Sequence, residues 1–179
     1  AERFIAAQEF RSAGIAALPT PGHAVHHVSF LTDRGLFAGE ACGVRYQLGE
    51  GREYLRPATP PRFFLDVALG SVDALIKQAP SRMMIGHYGM VEDGLELLKR
   101  HREQLLFWES WLARMAGRHP AGALLEVCAQ GLLAEDPCLA DFSAFSESAQ
   151  NRERYFLKNS INGFLGWIQN SEGGRGKAE

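Results

Sequence analysis

Paired thiols, long apolar runs and an excess of charge are all missing from this 179-residue sequence, and each absence excludes something. The three cysteines, Cys42, Cys128 and Cys138, are odd in number and share no CxxC spacing, which argues against a disulfide framework and against a thiolate zinc site. Unpaired thiols fit the reducing cytoplasm. No stretch of about 18 apolar residues spans a bilayer, and no basic segment leads into an apolar one near the start. The 19 basic and 21 acidic side chains leave a formal charge of −2, too close to neutral for a surface that grips phosphate backbones. Neither nucleic acid nor membrane is therefore an expected partner. Repeats, heptads and low-complexity tracts are absent as well. What is present is 46% apolar residues, too many for disorder and enough for one globular domain or a little more.

The apolar pattern changes period along the chain. Phe4, Ile5 and Phe10 among good helix formers, followed by Gly14, predict a short helix over Ala1 to Ala13. Ile15 to Leu18 and the alternating Val25 to Leu31 read as strands. Asp33-Arg34-Gly35 turns the second of them into Leu36-Phe37 as a hairpin. Glycines and prolines dominate from Gly39 to Pro61, which predicts a long irregular loop. Leu65, Leu69, Val72 and Ile76 restore the helical period, and Pro80 ends that segment. Met83-Met84-Ile85 then reads as a short buried strand. Beyond it lie a long helix with Val91, Leu95, Leu98, Leu105, Trp108, Leu112 and Met115 on one stripe, and two more over Ala121 to Leu133 and Ser143 to Ile168. Gly173 to Glu179 reads as a loose tail.

Three short segments concentrate the side chains able to do chemistry: Thr20-Pro21-Gly22-His23 with His26 and His27 just after it, Leu36-Phe37-Ala38-Gly39-Glu40, and Ile85-Gly86-His87. Each puts a metal-competent side chain where a predicted strand meets a glycine-containing turn, so the strand fixes the ligand's direction and the turn lets backbone approach closely. Two imidazoles and a carboxylate form a nitrogen and oxygen set suited to zinc, iron or manganese, and the lack of nearby thiolate points to an open rather than a closed site. Taken singly, each of these residues is more simply a surface or core side chain. Of the other histidines, the pattern puts His101 on the apolar stripe of its helix as a satisfied core residue, and His119 at an exposed boundary. Cys42 reads as a buried bystander.

In that order the three segments resemble the C-terminal half of a metallo-β-lactamase superfamily hydrolase, over about Ile15 to Leu98. The family's TPGH segment supplies a histidine ligand, its LFxGDA strand end a carboxylate bridging two metals, and a later GH the last histidine. By resemblance these are His23, Glu40 and His87, with a divalent transition metal, zinc or iron, as cofactor and two ions in the complete protein. His27 stands by the same resemblance behind the ligands, or else makes a plain polar core contact. Pro57 to Pro61 looks like the family's loop before its penultimate helix. This sequence departs from the pattern twice. Glu40 stands where the family has Asp, one methylene longer, and the HxHxDH segment that carries further ligands and the water-orienting aspartate is absent. The catalytic residues are accordingly expected in an N-terminal half of the same fold, upstream of Ala1.

The resemblance implies an α+β fold: half of a metallo-β-lactamase-type αββα sandwich over residues 1–100, a helical extension over 101–172 and a tail over 173–179. It implies a hydrolase that acts through metal-activated water on a small-molecule ester, thioester or lactone, with a phosphodiesterase of the same fold and a non-catalytic binding module as alternatives. Turnover is not expected from this half alone. The extension is rich in aromatics, including Phe107, Trp108, Trp111, Phe142, Phe145, Tyr155, Phe156, Phe164 and Trp167. Most are expected in a helical core, the rest as a lid over the site or a homodimer contact.

Overall fold

The computed structural model describes residues 9–12, 14–87 and 89–175. Six short strands precede the first helix among the described residues: β1 (Arg11–Ser12), β2 (Ile15–Pro19), β3 (Val28–Thr32), β4 (Gly35–Gly39), β5 (Val44–Gln47) and β6 (Glu53–Arg56), the last two paired with each other. After α1 (Leu65–Ile76) come β7 (Met83–Ile85), β8 (Met90–Val91), α2 (Gly94–Ala116) and α3 (Ala121–Glu135). A 3-10 helix over Pro137–Ala144 leads into α4 (Glu147–Arg175). The larger sheet has the order β1-β2-β3-β4-β7-β8, in which β4 and β7 are parallel and all other neighbours antiparallel. This is an α+β arrangement, as the sequence implies.

Alternation decides which sheet face is covered. Leu36 and Ala38 of β4 and Met83 and Ile85 of β7 enter one core with Leu65, Val72 and Leu75 of α1 and Leu97 and Leu98 of α2. Their neighbours point the other way. Phe30, Phe37, Met84 and Met90 stand in register across β3, β4, β7 and β8, and Phe30, Phe37 and Met90 are 40, 44 and 48% exposed. The far face thus carries an apolar row that no described element covers. On the near side α2 continues without a break through residue 100, and one core runs from the sheet into Trp108, Leu112, Leu132 and Phe164.

Several expectations are corrected. Residues 1–8 and 13 of the expected first helix lie outside the described residues, while Arg11 and Ser12 pair with Ala16 and Ile15 as an edge strand, Gly14 serving as a turn instead of a helix stop. The strand expected from Val25 starts at Val28, because the His27 N–H closes a turn onto the Ala24 carbonyl. The expected irregular loop contains the β5–β6 hairpin. Its glycines at 49 and 51 form the tip, and the pairing of Val44 with Arg56 and of Tyr46 with Tyr54 was hidden by them. Val91 belongs to β8, and α2 begins after Asp93, whose carboxylate accepts the Glu96 N–H. Helix α4 runs through Arg175, beyond the start of the expected tail, and residues 176–179 lie outside the described residues.

Helix α4 is fastened to the small hairpin by buried polar contacts. Glu153, fully buried, accepts from Arg56 Nε at 2.7 Å and from the Tyr46 hydroxyl at 2.7 Å. Ser160 Oγ donates to the Pro57 carbonyl at 2.7 Å, and Thr59 Oγ1 donates to the Ser160 carbonyl at 3.0 Å. Gly163 permits this approach, since a Cβ there would lie 2.6 Å from the Pro60 oxygen. Removing one member of such a pair strands the other charge in the core. Glu153→Ala is expected to lower unfolding stability by about 3–5 kcal/mol, read from urea denaturation, whereas an exposed control, Glu147→Ala, shifts it by less than about 0.5 kcal/mol.

Candidate metal centre

Strand direction brings the three sequence segments together. Strands β2 and β4 are both antiparallel to β3, and β7 is parallel to β4, so β2, β4 and β7 end at the same edge of the sheet. The chain leaves β2 through Thr20-Pro21-Gly22 to His23, leaves β4 directly into Glu40, and leaves β7 through Gly86 to His87. Side chains 47 residues apart, such as Glu40 and His87, thereby touch.

The Glu40 carboxylate spans both imidazoles. Its Oε2 lies 2.7 Å from His23 Nε2, and its Oε1 lies 2.6 Å from His87 Nε2. The other ring nitrogen of His23, Nδ1, is 2.9 Å from the Ala58 carbonyl, which only accepts, so Nδ1 carries a proton. A second proton on Nε2 then makes an imidazolium facing a carboxylate. The Glu40 contact accordingly raises the His23 pKa above its ordinary 6.5, against the opposing effect of burial. In return the hydrogen bond from His23, helped by that from His87, holds Glu40 down to about 2.

His27 behaves in the opposite way. Its Nε2 accepts the Glu40 N–H at 3.2 Å, which leaves Nδ1 to donate to Thr20 Oγ1 at 2.9 Å. Thr20 passes the chain to Ser29 Oγ at 2.9 Å, and Ser29 donates to the Ala38 carbonyl at 3.2 Å. Each group in this chain donates once and accepts once, so the neutral tautomer of His27 is fixed. Burial and the neighbouring His23 charge lower its pKa. His27 thus stands behind Glu40, gripping its backbone, and Gly39 makes room for the ring: a Cβ there would lie 2.5 Å from Nε2. His26 is exposed.

Among the described residues, no group of three or more His, Cys, Asp or Glu side chains stands in a metal-holding arrangement. In this structure Glu40 itself satisfies the two imidazoles. The chemistry of the donor set still fits a divalent transition ion. Two Nε2 atoms and a carboxylate are nitrogen and oxygen ligands, and a carbonyl on the remote nitrogen of His23 fixes the ligating tautomer.

Sequence reasoning missed the Ala58 carbonyl, Thr20 and Ser29. It also missed Arg56 and Arg152, which together with His23, Glu40, His87, Tyr155 and Phe156 line a cleft of about 520 Å³. The spacing of Arg152, Tyr155 and Phe156 on one helix was the available signal. His101 is in the core as expected, yet its Nδ1 has no hydrogen-bond partner among the described residues, and burial pushes its pKa down to about 4. Cys42 is buried beside the site with its thiol pushed up to about 12 by burial, inert as expected.

Comparison with known proteins bears on the same reading. Over 87 residues, 49% of this chain, the sequence is 31% identical to the metallo-beta-lactamase fold-containing protein ST1585 of Sulfurisphaera tokodaii. The solved structure of an archaeal metallo-beta-lactamase superfamily protein, ST1585 from Sulfolobus tokodaii, matches 51% of this chain at 32% identity, with a TM-score of 0.44. The match takes in 31% of the curated relative and 33% of the solved chain, so this chain spans about a third of their length. No protein-family model matches the chain. The metallo-β-lactamase resemblance carried by the three segments is borne out by this identity across half the chain.

The opposed shifts of His23 and Glu40 set a pH window. Glu40's contribution to stability is present above 4.5 and lost as pH falls toward 2, and His23's is present below 6.5 and lost as pH rises through its raised pKa. Their mutual stabilisation is therefore greatest between 4.5 and 6.5. In an NMR titration His23 is expected to titrate above 6.5 and His27 below it. In Glu40→Gln the His23 value falls, because only the Ala58 hydrogen bond is then left to oppose burial.

Proposed function

We propose that His23, Glu40 and His87 hold a divalent transition ion, zinc or iron, as half of a hydrolytic centre acting on an ester, thioester or lactone. One observation carries this reading: two imidazole Nε2 atoms from separate strand ends converge within 2.7 Å of a single carboxylate, one of them already pinned through its other nitrogen. An ordinary surface ion pair needs no such anchoring. The identity with a metallo-beta-lactamase fold-containing protein supports it.

An ion of this kind supplies Lewis acidity, which lowers the pKa of a coordinated water and polarises the carbonyl under attack. The chain's own residues prepare for it. The Ala58 carbonyl keeps the proton on His23 Nδ1, so that release of the Nε2 proton bares a lone pair aimed at the site. Glu40 stays ionised at any physiological pH. Neutral His27 holds the Glu40 backbone, and with it the start of the turn from which the carboxylate projects. The extra methylene of Glu40 relative to Asp gives the reach by which one carboxylate meets both imidazoles.

On this reading the water-orienting aspartate and the remaining ligands come from an N-terminal half of the same fold, with two ions in the complete protein. The apolar row of Phe30, Phe37, Met84 and Met90 is the face that a second sheet would cover. A binding module without catalysis is the competing reading, favoured by the two hydrogen bonds with which Glu40 already satisfies both histidines.

Titration calorimetry with Zn²⁺ separates the two. The chain is expected to bind about one ion saturably, His23→Ala and His87→Ala to weaken binding at least about tenfold, and His26→Ala to leave it unchanged. Affinity rises with pH across the His23 titration, since the ion displaces that proton. Absence of saturable binding, or equal loss in His26→Ala, overturns the metal reading.

A further inference from the structure

The cleft's α4 wall has a chemistry of its own. Arg152, Tyr155, Phe156 and Asn159 line it, at intervals of three, one and three residues, which is one stripe of a helix. The adjoining stripe, Glu153, Leu157, Ser160 and Ile161, is buried and fastens the helix. Of the cleft-facing residues, Phe156 also packs under the Arg56 guanidinium, while Arg152 and Tyr155 are exposed and take no part in the buried contacts that fasten α4. Tyr155 and Phe156 are 64 and 39% exposed and meet edge to face with ring centroids 5.5 Å apart.

The charges along the cleft are unequal in their commitments. Glu40 is spent on two imidazoles, and the Arg56 guanidinium on Glu153 while it also covers the Phe156 ring at 5.1 Å. Arg152 is exposed and has no hydrogen-bond or ion-pair partner among the described residues. A cleft of about 520 Å³ is in the range for small ligands. It thus offers two aromatic surfaces and one unneutralised guanidinium in the same cleft as the candidate ligands.

We infer that Arg152 anchors an anionic group on the substrate, whose apolar body lies along Tyr155 and Phe156 while its scissile carbonyl lies toward His23 and His87. The substrate class is then an ester or thioester bearing a distal carboxylate or phosphate, a group that a guanidinium takes in bidentate fashion. This rests on the hydrolase reading above. The residue acts on specificity, because it belongs to α4 and makes no contact with the candidate ligands at the sheet edge among the described residues.

The test is equilibrium binding of 4-phenylbutyrate and its uncharged amide to the full chain in excess EDTA, so that no metal ion is present to take the carboxylate. The acid is expected to bind at least about tenfold more tightly than the amide. Arg152→Gln is expected to bind the two equally, Arg152→Lys to keep part of the preference, and Lys99→Ala, on exposed α2 surface, to keep all of it. Equal binding by the unaltered chain, or a preference that survives in Arg152→Gln, overturns the assignment. Neither result bears on the metal reading, which the Zn²⁺ titration decides separately: a preference lost in Arg152→Gln beside absent metal uptake upholds Arg152 as an anion anchor and removes hydrolysis.

Discussion

The ion pair between Arg56 and Glu153 is the contact on which the rest of the site depends. Both groups are buried, and neither charge is tolerable there without the other. Satisfying them forces the β5–β6 hairpin and α4 into one fixed relation, and the Tyr46 hydroxyl on the same carboxylate removes the remaining freedom. The chain that follows Arg56 is then drawn along α4 by Ser160, whose hydroxyl and carbonyl take Pro57 and Thr59. Between these two lies Ala58, and its carbonyl orients His23. A helix that contributes no ligand thus determines which nitrogen of a candidate ligand faces the site.

Protonation is divided between two histidines four positions apart by what surrounds each. His23 meets a carboxylate and is held toward its charged form, while His27 meets a backbone N–H and a hydroxyl and is held neutral. Neither environment is stated by the sequence around the residue. Both follow from the edge of the sheet at which β2 and β4 end together.

Much of the fold was legible because its signals are local. The glycines beside His23, Glu40 and His87 marked three strand ends, and the period through Leu65, Val72, Leu98 and Leu105 marked two helices. The hairpin inside 44–56 was not, because Gly43, Gly49 and Gly51 make any periodicity look like a loop while serving its turns. The start of β3 was misplaced for a similar reason, since Val25 and His27 alternate correctly but a turn claims them first. The supports of the site were hidden more deeply. A carbonyl such as that of Ala58 carries no side-chain signature, and Arg56 finds Glu153 across 97 residues of sequence.

The two stripes of α4 have separate tasks, and this separation has an evolutionary consequence. One stripe holds the helix and, through Pro57 to Thr59, the orientation of His23; the other faces the cleft, with Phe156 alone reaching back under Arg56 among its four residues. Exchanges at Arg152, Tyr155 or Asn159 alter what the cleft admits without loosening the frame, whereas Phe156 is tied to it through Arg56. A lineage carrying this helix is therefore free to drift in selectivity one surface residue at a time, while the chemistry at the sheet edge is sheltered from each trial.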